Sequence, residues 1–350
     1  MLKTAKEKIS VRKAVMSFAI SISLLSSWAV VAPAANAKVE WKMHVTANSE
    51  RPETQTAVEF ARLVRERTNG ELDITVYAGG SLGIKETDLL RIMKGGSDVV
   101  HTAVLYPGYL TRDEPSFAFT LPPGVVNEPQ KLLDLLPTLE GIYKNTFDNW
   151  GIDLVGFVGH AAIKTHVFCK EKINALADLK DKKVRVWEKF HVEVFKKLGV
   201  AAQVIPQNDL YVAMQTGVVD CAVYPASFAV TISLQEVAPF GSYLFPFVLH
   251  PDNIIVSRSA FEALSEEHKE ILLETAKEIT QKSMQEYLTG VYDQPAIDKV
   301  NSTGGEILSD YPDSDRKAFS EAARETWVEL VEDAGGQAQE NFDKVSEALK

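Results

Sequence analysis

The 350-residue chain is acidic, with 37 basic and 48 acidic side chains and a net charge of -11. Residues 1–37 hold five of the basic groups and one acidic group, so the remainder carries -15, which excludes the basic footprint of a nucleic-acid binder. The length suits two lobes, and two cysteines without a CxxC are no disulfide scaffold.

Lys3, Lys6, Lys8, Arg12 and Lys13 precede an apolar run from about Ala14 to Val31, followed by "APAANA" with Ala35 and Ala37. Basic start, apolar middle and small-residue end are the parts of a secretory signal peptide, removed ahead of Lys38. The serines within the run argue against an anchor. No later stretch has ~20 uninterrupted apolar residues, so the expectation is an exported, soluble chain.

"VEWKMHV" (Val39–Val45) alternates apolar and polar and predicts a half-buried strand. Turn residues and N-cap candidates Thr46, Ser49 and Thr54 follow. Ala57, Phe60, Ala61 and Val64 mark one face of a helix that ends near Asn69-Gly70. "ELDITVY" predicts a second strand, "ETDLLRIMKGG" a helix and "SDVVHTAVLY" a third strand. This β-α-β-α-β order implies an α/β domain with a mainly parallel sheet.

The second half repeats the grammar. "DLVGFVG", "THVFC", "KVRV", "AQVIP" and "VVDCAVYP" predict strands. Helices end at Gly199 and Gly217. From Ser265 a proline-free run of roughly 28 residues predicts one long helix of about 40 Å, N-capped by Ser265. A last helix is expected from Ser314 to Ala334. Cys169 and Cys221 lie in apolar, strand-like contexts; an oxidising compartment permits a bridge, and free cysteines pack equally well there, so their state stays open.

Chemistry-bearing motifs are scarce. The chain has no G-x-S-x-G, Walker A, G-x-G-x-x-G or H-E-x-x-H. His160, Lys164 and His166 cluster, but metal ligation needs more ligands at suitable spacing. No nucleophile with a base can be assembled, so no enzyme, cofactor or metal is expected. "KKVRVWEKF" stands out: Arg185 sits between Val184 and Val186 in an apolar strand. A buried guanidinium needs a partner. Either Arg185 reaches solvent, pairs with Glu188 or Asp209, or awaits an external anion.

"ALADLKDKKVRV", a helix ending at Gly199, and "IPQNDLYVAMQTGVVDCAVYP" resemble the solute-binding proteins of tripartite ATP-independent periplasmic (TRAP) transporters, the DctP-type family. Asp178, Leu179, Lys183, Arg185, Val186, Pro206, Tyr211, Thr216, Gly217, Asp220 and Pro225 fit its pattern, as does "FARLVRERTNGELDITVYAGGSLG" in the front half. The resemblance covers nearly all of the chain beyond residue 37. It implies an α/β, two-lobed periplasmic binding protein-like (type II) fold with a hinge and a long helix bracing both lobes. Lobe I is expected over 38–160 and lobe II over 161–249. Residues 250–350 are expected to return to lobe I with the bracing helix and C-terminal helices. The implied function is capture of a small organic anion, foremost a carboxylate, and its delivery to TRAP membrane permease subunits by a periplasmic monomer. A sulfonate ligand and a sensor role are the alternatives.

Arg185 matches the family arginine that pairs with the ligand carboxylate, for which a guanidinium offers a rigid fork of donors. Departures bear on the ligand. Tyr224 replaces a frequent Asn, Cys221 a Gly, and Trp187 a small residue or Pro, while Gln207 and Asn208 stand near a common aromatic. Trp187, Tyr224 and Phe228 could stack on a flat ligand. From the front lobe, Asn48, Ser49, Thr102, Ala103 and Tyr106 would face a ligand at the strands' carboxyl ends. His160 and Lys164, in the crossover, are candidates for a second anion contact.

Overall fold

The computed structural model describes residues 38–350 except 97, 120, 122–125, 127, 161–163 and 247–249. The expected signal peptide, residues 1–37, lies outside the described residues. Among those described, no helix is long and apolar enough to cross a membrane.

In chain order the elements are β1 (Val39–Val45), α1 (Pro52–Arg67), β2 (Leu72–Tyr77), α2 (Leu89–Met93), β3 (Thr102–Leu105), α3 (Pro129–Asp148), β4 (Ile152–Val158) and β5 (Lys164–Cys169). Then come β6 (Lys183–Val186), α4 (Lys189–Lys197), β7 (Ala201–Val204), α5 (Leu210–Gln215), β8 (Cys221–Pro225), α6 (Ala226–Ala229), β9 (Phe240–Pro246) and β10 (Asp252–Ser257). The chain closes with α7 (Arg258–Glu262), α8 (Glu266–Thr289), α9 (Asp293–Ser302), β11 (Glu306–Ile307), α10 (Asp313–Ala334) and α11 (Gly336–Ala348).

Two mixed sheets result, in orders β2-β1-β3-β10-β4 and β11-β9-β5-β8-β6-β7. β1, β2 and β3 are parallel, as the β-α-β grammar predicts, and so are β8, β6 and β7. The antiparallel members are the strands on which the chain crosses between sheets: β10 runs against β3 and β4, and β5 against β8 and β9. Each lobe is thus a parallel α/β unit closed by crossing strands.

α1 buries Ala57, Phe60, Ala61 and Val64 against the first sheet and ends before Asn69 and Gly70, both in the left-handed region. α8 starts at Ser265, whose hydroxyl accepts the His268 amide at 3.2 Å. The expected long helix is broken: α8 ends at Gly290, with φ at 60°, and the chain resumes as α9. α8 packs on α1 and β4, whereas α9 packs on α6 and β11. The bracing run is therefore two helices, one on each sheet. Residues 250–350 are likewise shared between the sheets rather than confined to the first. β11 pairs with β9, and α10 is drawn onto α4 by Phe319, whose ring lies 5.3 Å from that of Phe195.

Cys169 faces Cys221 across β5 and β8, and the two form a disulfide with a Cα separation of 4.1 Å.

Candidate functional site

A small cavity of about 40 Å³ lies where the carboxyl ends of strands from both sheets meet. Its wall is built from segments that follow strands: Arg51 after β1, Tyr106 and Tyr109 after β3, His160 after β4, Trp187 after β6, Gln207 after β7 and Phe228 after β8. Carboxyl-end clefts are the usual ligand site of open α/β sheets.

Arg185 forms the second lobe's polar contribution. β6 lies between β7 and β8. Val184 and Val186 alternate with Arg185 and carry one face of the strand into the core. Arg185 points the other way and is 0% exposed. Its Nε donates to the Ile205 carbonyl at 2.8 Å and Nη1 to the Val223 carbonyl at 3.3 Å. Its guanidinium carbon lies 5.2 Å from the Tyr224 ring centre. Burial pulls its pKa down, against the opposing effect of Tyr224 and Tyr109. Among the described residues, no carboxylate forms an ion pair with it. The internal alternatives do not reach: Asp209 is exposed, and Glu188 instead meets Tyr106 Oη at 3.5 Å and His191 Nδ1 at 3.3 Å. Burial pushes the Glu188 carboxyl up to about 8, against the Tyr106 hydrogen bond.

The first lobe brings a second cation already neutralised. Arg51, just before Pro52 at the start of α1, donates from Nε to Glu53 Oε2 at 2.9 Å and from Nη1 to Gln207 Oε1 at 3.3 Å. Its guanidinium lies 3.2 Å from the Phe228 ring centre. The Glu53 side chain is fully buried, and its other oxygen lies 3.5 Å from His160 Nδ1. His160 Nε2 is 2.9 Å from Asp252 Oδ1. These last two are charge contacts rather than well-aligned hydrogen bonds, since neither ring nitrogen has an aligned acceptor. Burial lowers the His160 pKa, but Asp252 and Glu53 outweigh it and hold the ring up to about 9. Burial opposes ionisation of Glu53 as well; Arg51 and His160 outweigh it and hold that carboxyl well below its ordinary value.

The rest of the lining is aromatic. Tyr106 packs edge-on to Tyr109 and His160, Tyr224 edge-on to Phe228, and Trp187 over His191 at 4.2 Å. Tyr224 Oη donates to Gln207 Oε1 at 3.3 Å, the acceptor it shares with Arg51. Among the described residues, the arrangement offers one cation without a counter-charge, phenolic donors and flat apolar walls.

The structure brings Arg185, Trp187, Tyr224, Gln207, Phe228, Tyr106 and His160 of the sequence candidates to this cavity. The others go elsewhere. Thr102 and Ala103 are buried in β3, which is covered on both sides; the Thr102 hydroxyl donates to the Ile255 carbonyl at 2.7 Å. Asn48 donates to the Thr231 carbonyl at 3.2 Å, tying the lobes together beside the cavity. Ser49 is exposed, in the turn before α1. Asn208 is exposed and lines an outer groove with Gly80 and Lys85. Lys164 is exposed at the start of β5, 5.2 Å from the Tyr243 ring. Arg51, Tyr109 and Pro225 line the cavity without having been among the site candidates. The sequence carries no distinctive signal for Arg51, which lies in an ordinary polar turn after the first strand. Among the described residues, no group of three or more His, Cys, Asp or Glu side chains could hold a metal.

Comparison with known proteins agrees with this architecture. The family model described as bacterial extracellular solute-binding protein, family 7 (DctP), matches residues 43–333. A monocarboxylate 2-oxoacid-binding periplasmic protein of a Nostoc species is 26% identical over 262 residues, covering 71% of this chain and 68% of that one. An extracytoplasmic solute receptor of Bordetella pertussis, binding pyroglutamic acid, superposes with a TM-score of 0.79 at 19% identity, covering 88% of this chain and 99% of that one. A TRAP periplasmic solute-binding protein of Rhodoferax ferrireducens, with bound malonate, gives 0.77 at 19% identity, covering 88% and 98%.

Proposed function

Because the chain belongs to the DctP family of bacterial extracellular solute-binding proteins, we propose that it captures a small carboxylate in the cavity between its lobes and delivers it to TRAP permease subunits from the periplasm. The observation that carries this reading is Arg185, a fully buried guanidinium that lines the cavity without an ion-pair partner among the described residues. A buried charge without a counter-charge is costly, and a carboxylate ligand would supply the missing one in a two-point contact. Two of the guanidinium's N–H groups are held by the Ile205 and Val223 carbonyls, which fix its plane before the ligand arrives. Tyr224 and Tyr109 supply hydroxyls for further polar atoms of the ligand; Trp187 and Phe228 close on its body. Relatives named or solved with 2-oxoacids, pyroglutamate and malonate support a carboxylate class.

The test is a thermal-shift screen of the protein against small organic acids and sulfonates. A ligand at a hundred times its Kd adds about 2.7 kcal/mol to the folded state. One acid class is expected to shift the midpoint, and Arg185→Ala to abolish the shift. Arg185→Lys keeps the charge but loses the fork, and one charge-assisted hydrogen bond of about 1.5–3 kcal/mol predicts roughly ten- to hundredfold weaker binding. Undiminished binding by Arg185→Ala would overturn the assignment.

A further inference from the structure

We infer that the cavity selects its ligand by charge number: it takes monocarboxylates with an uncharged body and discriminates against dicarboxylates, because Arg185 is the one cavity cation, among the described residues, whose charge is not already balanced within the protein. This rests on the carboxylate reading above and goes beyond it, since the family assignment leaves the charge of the ligand open.

The argument is a count of charges on side chains too deeply buried for water to screen them. Arg51 faces Glu53 at 2.9 Å, and Glu53 is wholly enclosed, so no ligand can displace it. His160 is flanked on both nitrogens, by Glu53 at 3.5 Å and by Asp252 at 2.9 Å. A neutral imidazole carries a single N–H and would turn a lone pair toward one carboxylate; only the imidazolium presents N–H on both sides. Two cations and two carboxylates therefore cancel along the row Arg51, Glu53, His160 and Asp252. The other titratable groups packed on this region add no opposing charge near neutrality. Glu188 is held largely protonated by burial, and burial, reinforced by Arg185, keeps His191 neutral. Tyr106 and Tyr109 have raised pKa values, first through burial.

What remains is a single positive charge at Arg185. One carboxylate completes it. A second carboxylate on the same ligand would enter a confined, aromatic-walled space in which the nearest other guanidinium, Arg51, is already committed to Glu53, Gln207 and the Phe228 face. A buried carboxylate without its own cation is strongly disfavoured. Glu53 is thus a specificity-determining residue that never needs to touch the ligand.

The experiment is calorimetric titration of the protein at neutral pH with size-matched acids: lactate against malonate, and pyroglutamate against succinate. The better monocarboxylate is expected to bind at least tenfold tighter than its dicarboxylate partner, about 1.4 kcal/mol. Glu53→Gln frees Arg51 and is expected to narrow or reverse that ratio. The wild-type ratio tests the inference even if that buried variant fails to fold. A dicarboxylate that binds wild type as tightly as any monocarboxylate overturns the charge selection alone. A folded Glu53→Gln protein with an unchanged ratio does the same for Glu53. Binding of none of these acids overturns the carboxylate reading, and charge selection with it.

Discussion

Buried histidines set opposing demands on pH. His166 is held at about 4 and His250 at about 3, both first through burial. A base whose folded pKa is depressed contributes stability above its unfolded value of about 6.5, and that stability is lost as pH falls toward the folded value. His160 has the opposite sign. Its folded pKa, about 9, is raised, so its contribution is complete below about pH 6.5 and lost as pH rises through 9. Glu188, raised to about 8, also destabilises the fold with rising pH, over the window from its ordinary value to about 8. Urea midpoints of the ligand-free protein are therefore expected to fall on the acid side and again between about pH 6.5 and 9, with His160→Gln removing the part of the second decline above about pH 8. A flat alkaline limb in wild type would mean that the carboxylates do not hold the proton on His160. The same residues show what a sequence can reveal at this scale. Arg185 was legible because valines flank it, and a charge in an apolar strand demands an explanation. Arg51 was not, because "NSERPE" looks like any polar turn; its burial comes from Phe228, far along the chain.

Between elements, a close seam joins β4 to α8. The Phe157 amide donates to Thr280 Oγ1 at 2.8 Å and the Gly159 amide to Ser283 Oγ at 3.1 Å, so a strand backbone rests directly on a helix. A Cβ on Gly159 would come within 2.6 Å of the Ser283 carbonyl oxygen, a backbone atom that cannot swing aside. Gly159→Ala is expected to destabilise the fold by about 1–3 kcal/mol, the usual cost of overpacking. A thermal melt at wild-type midpoint would refute this contact. Periodicity announced α8 but not its end: a lone glycine in a helical pattern is tolerated, and only tertiary packing decides that Gly290 turns the chain onto the second sheet. The crossing strands β9 and β10 were not read from the sequence, nor was the 20-residue α3 with Pro137 inside it. A β-α-β grammar gives local order; β10 pairs with strands some 150 and 100 residues earlier. The disulfide was open for the same reason, since it depends on the register that sets Cys169 opposite Cys221.

At the scale of the molecule, polar contacts join the lobes around the cavity: Arg51 to Gln207, Tyr106 to Glu188, and Asn48 to the Thr231 carbonyl. Away from the cavity the join is apolar: α11 packs on α3 of the first lobe and on α10, which in turn packs on α4 of the second. Bringing the lobes together over Arg185 would set the Tyr106 and Tyr109 side of the first lobe against it and take it out of water. Without an anion that step leaves a cation buried and uncompensated, which is unfavourable. With one, the same step gains a charge-assisted pair. The ligand therefore has the differential affinity for the closed state that a population shift requires. Small-angle scattering should show the empty protein more expanded than the roughly 20 Å radius of gyration of a compact chain of this length. The acid found by the screen should contract it toward that value, and Arg185→Ala should show no contraction at any acid concentration. If the empty wild type is already as compact as the loaded form, the unpaired guanidinium does not hold the lobes apart, and the anion is bound without gating closure.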